Sequence, residues 1–173
     1  FINNSAFGNN AEALNVFLLS LSVTSAFEGG FDSVNTYDKA GISIGFLQFA
    51  RPESGAGRLL ELSGRKDLSD EIKTNFGTSD PHSSSSALKA RFNGDLLREI
   101  VIAISSTDGI KAQLAMAINK NVDGQLYFEK AYNKFLDLKL IDALSCALLF
   151  DGAINMGAGS LSKFPAFTQG NDG

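Results

Sequence analysis

The chain has 173 residues, 44% apolar, 20% charged and 10% aromatic, with a net charge of −4. A globular chain of this length buries roughly two-thirds of its unfolded surface in one core and needs no disulfide or metal staple. The single Cys146 has no intrachain partner and the 15 basic residues are scattered; no apolar run nears the roughly 20 residues that span a bilayer, so disulfide scaffolds, membrane insertion and nucleic-acid binding are set aside.

The sequence opens at Phe1 without Met or a charged-then-apolar leader, and Asn3, Asn4, Ser5, Gly8, Asn9 and Asn10 read as a polar entry to a helix. The expectation is a fragment of a longer modular protein. Over residues 11–27, Leu14, Phe17, Leu18, Leu21, Ala26 and Phe27 predict a buried helix with Asn15, Ser20 and Thr24 turned away, and Gly29 and Gly30 end it. Residues 31–49 change character. Val34, Thr36, Tyr37, Ile42, Ile44 and Phe46 alternate with Asp, Asn, Ser and Gly, as in a hairpin or small sheet.

Beyond Pro52, helices are predicted over residues 57–62 and 68–76, the second starting near Ser69 with Asp70 and Glu71 in its first turn, as the helix dipole prefers. Residues 77–86 hold Pro81, His82 and four consecutive Ser, and read as an exposed connection. Four further helices are predicted over 87–105, 110–118, 127–138 and 141–156, and no internal repeat is present. The sum is an α+β fold, predominantly helical, with residues 1–173 forming one domain and a small β-rich segment at about 29–50.

Two carboxylates stand out in the polar segment. Glu28 closes the first helix between Phe27 and Phe31, where the negative end of the dipole and the apolar flanks both favour its protonated form. Asp38 lies among Asn35, Thr36, Tyr37 and Lys39, which favour its ionised form. Carboxylates with opposed environments suit glycosidic cleavage, one protonating the leaving oxygen and the other activating water or stabilising a sugar cation. Spacing alone leaves a second reading open, in which Glu28 caps its own turn and Asp38 makes an Asx-turn into Lys39, Ala40 and Gly41.

Glu28, Asp38 and then Ser43-Ile44-Gly45 resemble the phage-type lysozyme pattern of Glu, a hairpin Asp and a hydroxyl residue before Ile-Gly, with Asp38 displaced by about one residue and Ser43 where that family usually carries Thr. The run from Ala143 through Ile154-Asn155-Met156-Gly157-Ala158-Gly159 resembles the helix of the same family that ends in an Asn-containing, Gly-rich turn behind the cleft. Ser43 to Gln48 also resembles the Gly-Leu-Met-Gln motif of goose-type lysozymes and lytic transglycosylases, and the first segment is similar to chitosanases of that superfamily.

The resemblance implies a two-lobed lysozyme-like fold that hydrolyses β-1,4 bonds between amino sugars of peptidoglycan. Glu28 would be the acid, Asp38 the base or stabiliser, Ser43 the water-positioning residue, and Tyr37, Gln48 and Asn155 would contact substrate. It implies a bacteriolytic monomer that needs no cofactor and no metal and acts in the periplasm or cell wall, where a tethering domain, delivery machinery or an immunity or inhibitor protein would be its partners. Chitosanase and lytic transglycosylase chemistry are the enzymatic rivals. A glycan-binding module without catalysis is the rival from another class, and the acidic pI near 4.9 favours it, since long-range repulsion from an anionic wall works against an untethered enzyme.

Other patterns carry less. Gly41-Ile-Ser43-Ile-Gly45 matches a nucleophile elbow, with His82 and Asp67, Asp70 or Asp80 as nominal partners, yet the elbow needs a buried strand before the Ser and a helix after it. Asp32, Asn35 and Asp38 lack the alternating spacing of a calcium loop. Cys146 reads as a buried small hydrophobe, and Phe128, Tyr132 and Phe135 as core packing. Asp151 and Asn155 share a helix face, with Asn155 expected to bond to a neighbouring turn rather than look into the cleft.

Overall fold

The computed structural model of the chain describes residues 10–37, 39–77, 84–118, 127–156 and 158–163. Helix α1 (Ala11–Glu28) begins at Asn10, whose side-chain oxygen accepts from the Ala13 N–H at 3.1 Å. It ends at Gly29, at φ 119°, a left-handed conformation that suits a residue without Cβ; a Cβ there would stand 2.2 Å from Ser33 Oγ. Strands β1 (Val34–Asn35), β2 (Ser43–Ile44) and β3 (Phe49–Ala50) follow as an antiparallel sheet in that order, with Val34 opposite Ile44 and Ile44 opposite Phe49. The expected small sheet is therefore present, with three very short strands.

A π-helical turn, Arg51–Gly55, leads into α2 (Ala56–Leu62), so helical winding starts before residue 57. Helix α3 (Lys66–Phe76) begins three residues ahead of the predicted Ser69, and Ser69 is buried within it. The predicted helix over 87–105 is two helices, α4 (Ser85–Arg91) and α5 (Gly94–Ser105). Asn93 makes the break: its side-chain oxygen accepts from Leu96 N at 3.1 Å, caps α5 and stops α4 from continuing. Helix α6 (Thr107–Ile118) starts earlier than expected because Ser106 Oγ accepts from Gly109 N at 3.0 Å. Helices α7 (Tyr127–Asp137) and α8 (Ala143–Met156) match their predictions closely, and a 3-10 turn covers Ala158–Lys163. The described residues are thus predominantly helical with one small antiparallel sheet.

The core lies between α1, α7 and α8 on one side and between the sheet, α2, α3, α5 and α6 on the other. Phe17, Phe128 and Phe150 meet edge to face, with centroids 4.7 to 6.2 Å apart. Tyr132 stacks between Phe128 and Phe135 at 5.8 and 6.0 Å, which is the expected core stripe. The face of α1 is a correction. Ser20 and Thr24 are wholly buried, whereas Leu18 and Leu19 are 46% and 41% exposed. The buried face runs through Ala13, Val16, Phe17, Ser20 and Thr24 because α1 lies along α8, and small hydroxyl residues let two helices approach. Ser20 satisfies itself by donating to Val16 O at 2.8 Å.

One amide ties the sheet segment to the helices. Gln113 on α6 is wholly buried. Its Oε1 accepts from Phe46 N at 2.9 Å, and its Nε2 donates to Phe31 O at 2.9 Å and Ile104 O at 3.0 Å. Gly45 stands against it at φ 77°, and a Cβ there would lie 2.3 Å from Gln113 Oε1. No helix among the described residues is long and apolar enough to cross a membrane.

Candidate active site

The C-terminal ends of α1 and α8 meet, although they are far apart in the chain. Asn155 Nδ2 donates to Glu28 Oε1 at 2.9 Å, and the same amide reaches Asp151 O at 3.2 Å and Asp151 Oδ2 at 3.3 Å. Three acceptors around one nitrogen fix which way the amide faces. Asn155 thus spans to another helix besides bonding its own turn, which corrects the expectation that it only serves a neighbouring turn. Because Oε1 of Glu28 accepts from Asn155, Oε2 is the oxygen without a hydrogen bond among the described residues.

Asp151 is the residue whose importance the sequence hid. Its Oδ1 is buried without a hydrogen-bond partner. Desolvation, then the nearby Glu28 carboxylate, push its pKa above the ordinary aspartate value, while the Asn155 hydrogen bond partly offsets them. Two carboxyl groups therefore face one another across an amide at the end of the α1–α8 seam.

Gln48 approaches the end of α1 from the turn between β2 and β3. It adopts φ 49°, donates from Nε2 to Gly45 O at 3.1 Å, and places that nitrogen 3.9 Å from where a Cβ on Gly29 would stand, next to Glu28. Ser43 is 2% exposed in the central strand, paired across to Asn35 and Ala50. A turn and a third strand follow it rather than a helix, unlike a nucleophile elbow. Tyr37 is 75% exposed on the β1–β2 connection, its backbone N–H held by Asn35 Oδ1 at 2.9 Å. Asn35 thus makes an Asx-turn in this loop. Asp38, Asp80, Pro81, His82 and Gly157 lie outside the described residues. The structure thus joins Glu28 and Asn155, brings Gln48 near Gly29, sets Ser43 inside the sheet, and leaves Tyr37 at the surface.

A cavity of about 520 Å³ opens beside this cluster, lined in part by Gln48, Arg51, Arg58, Lys73, Tyr127 and Ile154. Gln48 is its link to the end of α1, since the Gln48 side-chain nitrogen lies 3.9 Å from the position of a Cβ on Gly29; Glu28, Asp151 and Asn155 do not line it. Glu61 on its wall is held below the ordinary glutamate pKa, first by the hydrogen bond from Lys73 and also by Ser69 and Arg58. Elsewhere, Cys146 is buried where α8 faces Ser20, and desolvation pushes its thiol up to about 11, as an inert core thiol requires.

Sequence reasoning missed Gln113 altogether, although a lone amide in the apolar run of α6 is the sign of a buried polar tie. Comparison of this chain with protein-family models, with curated proteins and with solved structures finds no match.

Proposed function

We propose that this chain is a glycoside hydrolase of lysozyme-like, two-lobed architecture that cleaves β-1,4 bonds between the amino sugars of peptidoglycan. Glu28 is the general acid. The observation that carries the reading is the contact of Glu28 Oε1 with Asn155 Nδ2 at 2.9 Å, which joins the two sequence segments that resemble phage-type lysozymes. That bond orients the carboxyl and would leave Oε2 to carry the proton, and a cavity of about 520 Å³ lined by Gln48 lies near the same end of α1. Delivery of that proton to the glycosidic oxygen releases the leaving sugar, while charge develops at the anomeric carbon. Asp38 is the carboxylate assigned to stabilise that charge or activate water, Ser43 the residue assigned to position that water from within the sheet, and Tyr37, Gln48 and Asn155 the residues assigned to contact substrate. The reaction places the protein in the periplasm or cell wall.

Glu28→Gln is the deciding test because it keeps size and hydrogen bonding but removes the exchangeable proton. Turbidity loss of purified cell walls should fall by about 10²- to 10⁴-fold with the fold intact. Lysis at close to the wild-type rate would overturn the assignment. A wild-type protein that binds walls without releasing reducing ends would instead be the glycan-binding module. Asp38→Asn separates a two-carboxylate hydrolase from a lytic transglycosylase, whose products carry a 1,6-anhydro ring.

A further inference from the structure

We propose that the cavity lined by Gln48 and Arg51 is an anion subsite that receives a carboxylate carried by the glycan, with Arg51 as its cation; this rests on the glycosidase reading above. Five charged side chains line it: Arg51, Arg58, Lys73, Glu53 and Glu61. Glu61 occupies two of the cations, with Lys73 Nζ at 2.7 Å and Arg58 NH1 at 3.5 Å. Glu53 turns toward the end of α3, where a Cβ on Gly77 would stand 2.4 Å from its Oε1. Arg51 enters none of the described ion pairs. The lining therefore carries one more positive than negative side chain in a protein whose net charge is −4. Leu47, Phe49 and Met116 supply apolar lining, while Arg51 itself is exposed, so its attraction for an anion is partly screened and falls with added salt.

The backbone at this point is unusual as well. Arg51 sits at φ 71° and Gln48 at φ 49°, two non-glycine residues in the left-handed region on either side of β3. Arg51 also opens the π-helical turn Arg51–Gly55. Strained positions and π-helical turns concentrate at functional sites, and glycine would relieve the strain at position 51 only by giving up the guanidinium. A planar guanidinium matches a carboxylate with two parallel hydrogen bonds, and the cavity volume falls in the range of small-ligand pockets. The subsite therefore selects a glycan bearing carboxylates over one bearing free amines, which the same arginine repels.

The test measures binding in the Glu28→Gln background, so that the ligands stay intact. Three oligosaccharides of equal length are titrated at low salt: one with lactyl carboxylates and no peptide, one with stem peptides attached, and a neutral oligomer of N-acetylglucosamine. A carboxylate-bearing ligand should bind about tenfold more tightly than the neutral one, a margin that shrinks with added salt. Arg51→Gln should abolish the margin and Arg51→Lys should retain part of it, which separates lost charge from a misfolded loop. A margin on the peptide-free ligand assigns the carboxylate to the sugar's own substituent; a margin confined to the peptide-bearing ligand assigns it to the stem. Equal binding of all three ligands, or a margin that survives Arg51→Gln, overturns the subsite alone. Failure to bind any of them overturns the subsite together with the glycan reading.

Discussion

At the joint between the sheet segment and α6, Gln113 is wholly buried and its amide is fully used, with bonds of 2.9, 2.9 and 3.0 Å to Phe46, Phe31 and Ile104. The seam between α1 and α8 treats polarity differently. Ser20 gives its hydroxyl back to its own helix, while Thr24 Oγ1 and Asp151 Oδ1 are buried without partners. A buried polar group that is bonded fixes geometry, whereas one that is not costs its desolvation. The first joint closes its hydrogen bonds within the protein, and the second leaves an open account at the end where Glu28 and Asn155 meet. Interior polarity thus has two uses here, and the unsatisfied one adjoins the proposed chemistry.

The contrast predicts its largest effect at Gln113. Gln113→Ala strips partners from one buried N–H and two carbonyl groups, at roughly 1–3 kcal/mol each where water cannot enter. A total loss of about 3 kcal/mol or more is expected, read from the urea midpoint at unchanged slope, and it would take away much of the stability of an ordinary domain. A loss below about 1 kcal/mol would mean that solvent reaches the joint and the two regions do not differ.

Those bonds also show why part of the fold escapes the sequence. The end of α1 at Gly29, the sheet within residues 29–50 and the extents of α7 and α8 follow from local signals: a left-handed glycine, β-branched alternation and apolar periodicity. Gln113 acts over separations of 67 and 82 residues, which no local pattern encodes. Of the candidate site, Glu28, Gln48 and Asn155 were legible as residues, but the Asn155 bond to Glu28 spans 127 residues and only the fold brings it about. The split at Asn93 was missed for another reason. Apolar periodicity runs on through α4 and α5, and a single capping side chain outweighs it.

A middle-sized effect belongs to the α1–α8 seam. Hydrophobicity alone favours Leu18 inside and Ser20 outside, and the structure has them reversed. Ser20→Leu should therefore destabilise by about 1–3 kcal/mol through overpacking against α8, although it adds apolar surface. Leu18→Ser, at a site 46% exposed, should move the midpoint by less than about 0.5 kcal/mol. Both are measured by denaturant titration, and the opposite ranking would return α1 to the face its sequence pattern predicts.

The smallest effect is the one most closely tied to the proposed chemistry. Asp151 has its pKa raised in the folded protein by desolvation and by Glu28. Between its unfolded and folded values the native state holds the proton that the unfolded state has lost, so stability falls as pH rises through that window and the penalty persists above it. Asp151→Asn removes the charge and keeps the shape. The variant should gain about 2 °C in Tm at pH 7, and the gain should fade on acidification below the ordinary aspartate pKa, where the wild-type side chain is neutral in both states. A Tm curve parallel to wild type at every pH would show Asp151 to be as well accommodated as Gln113.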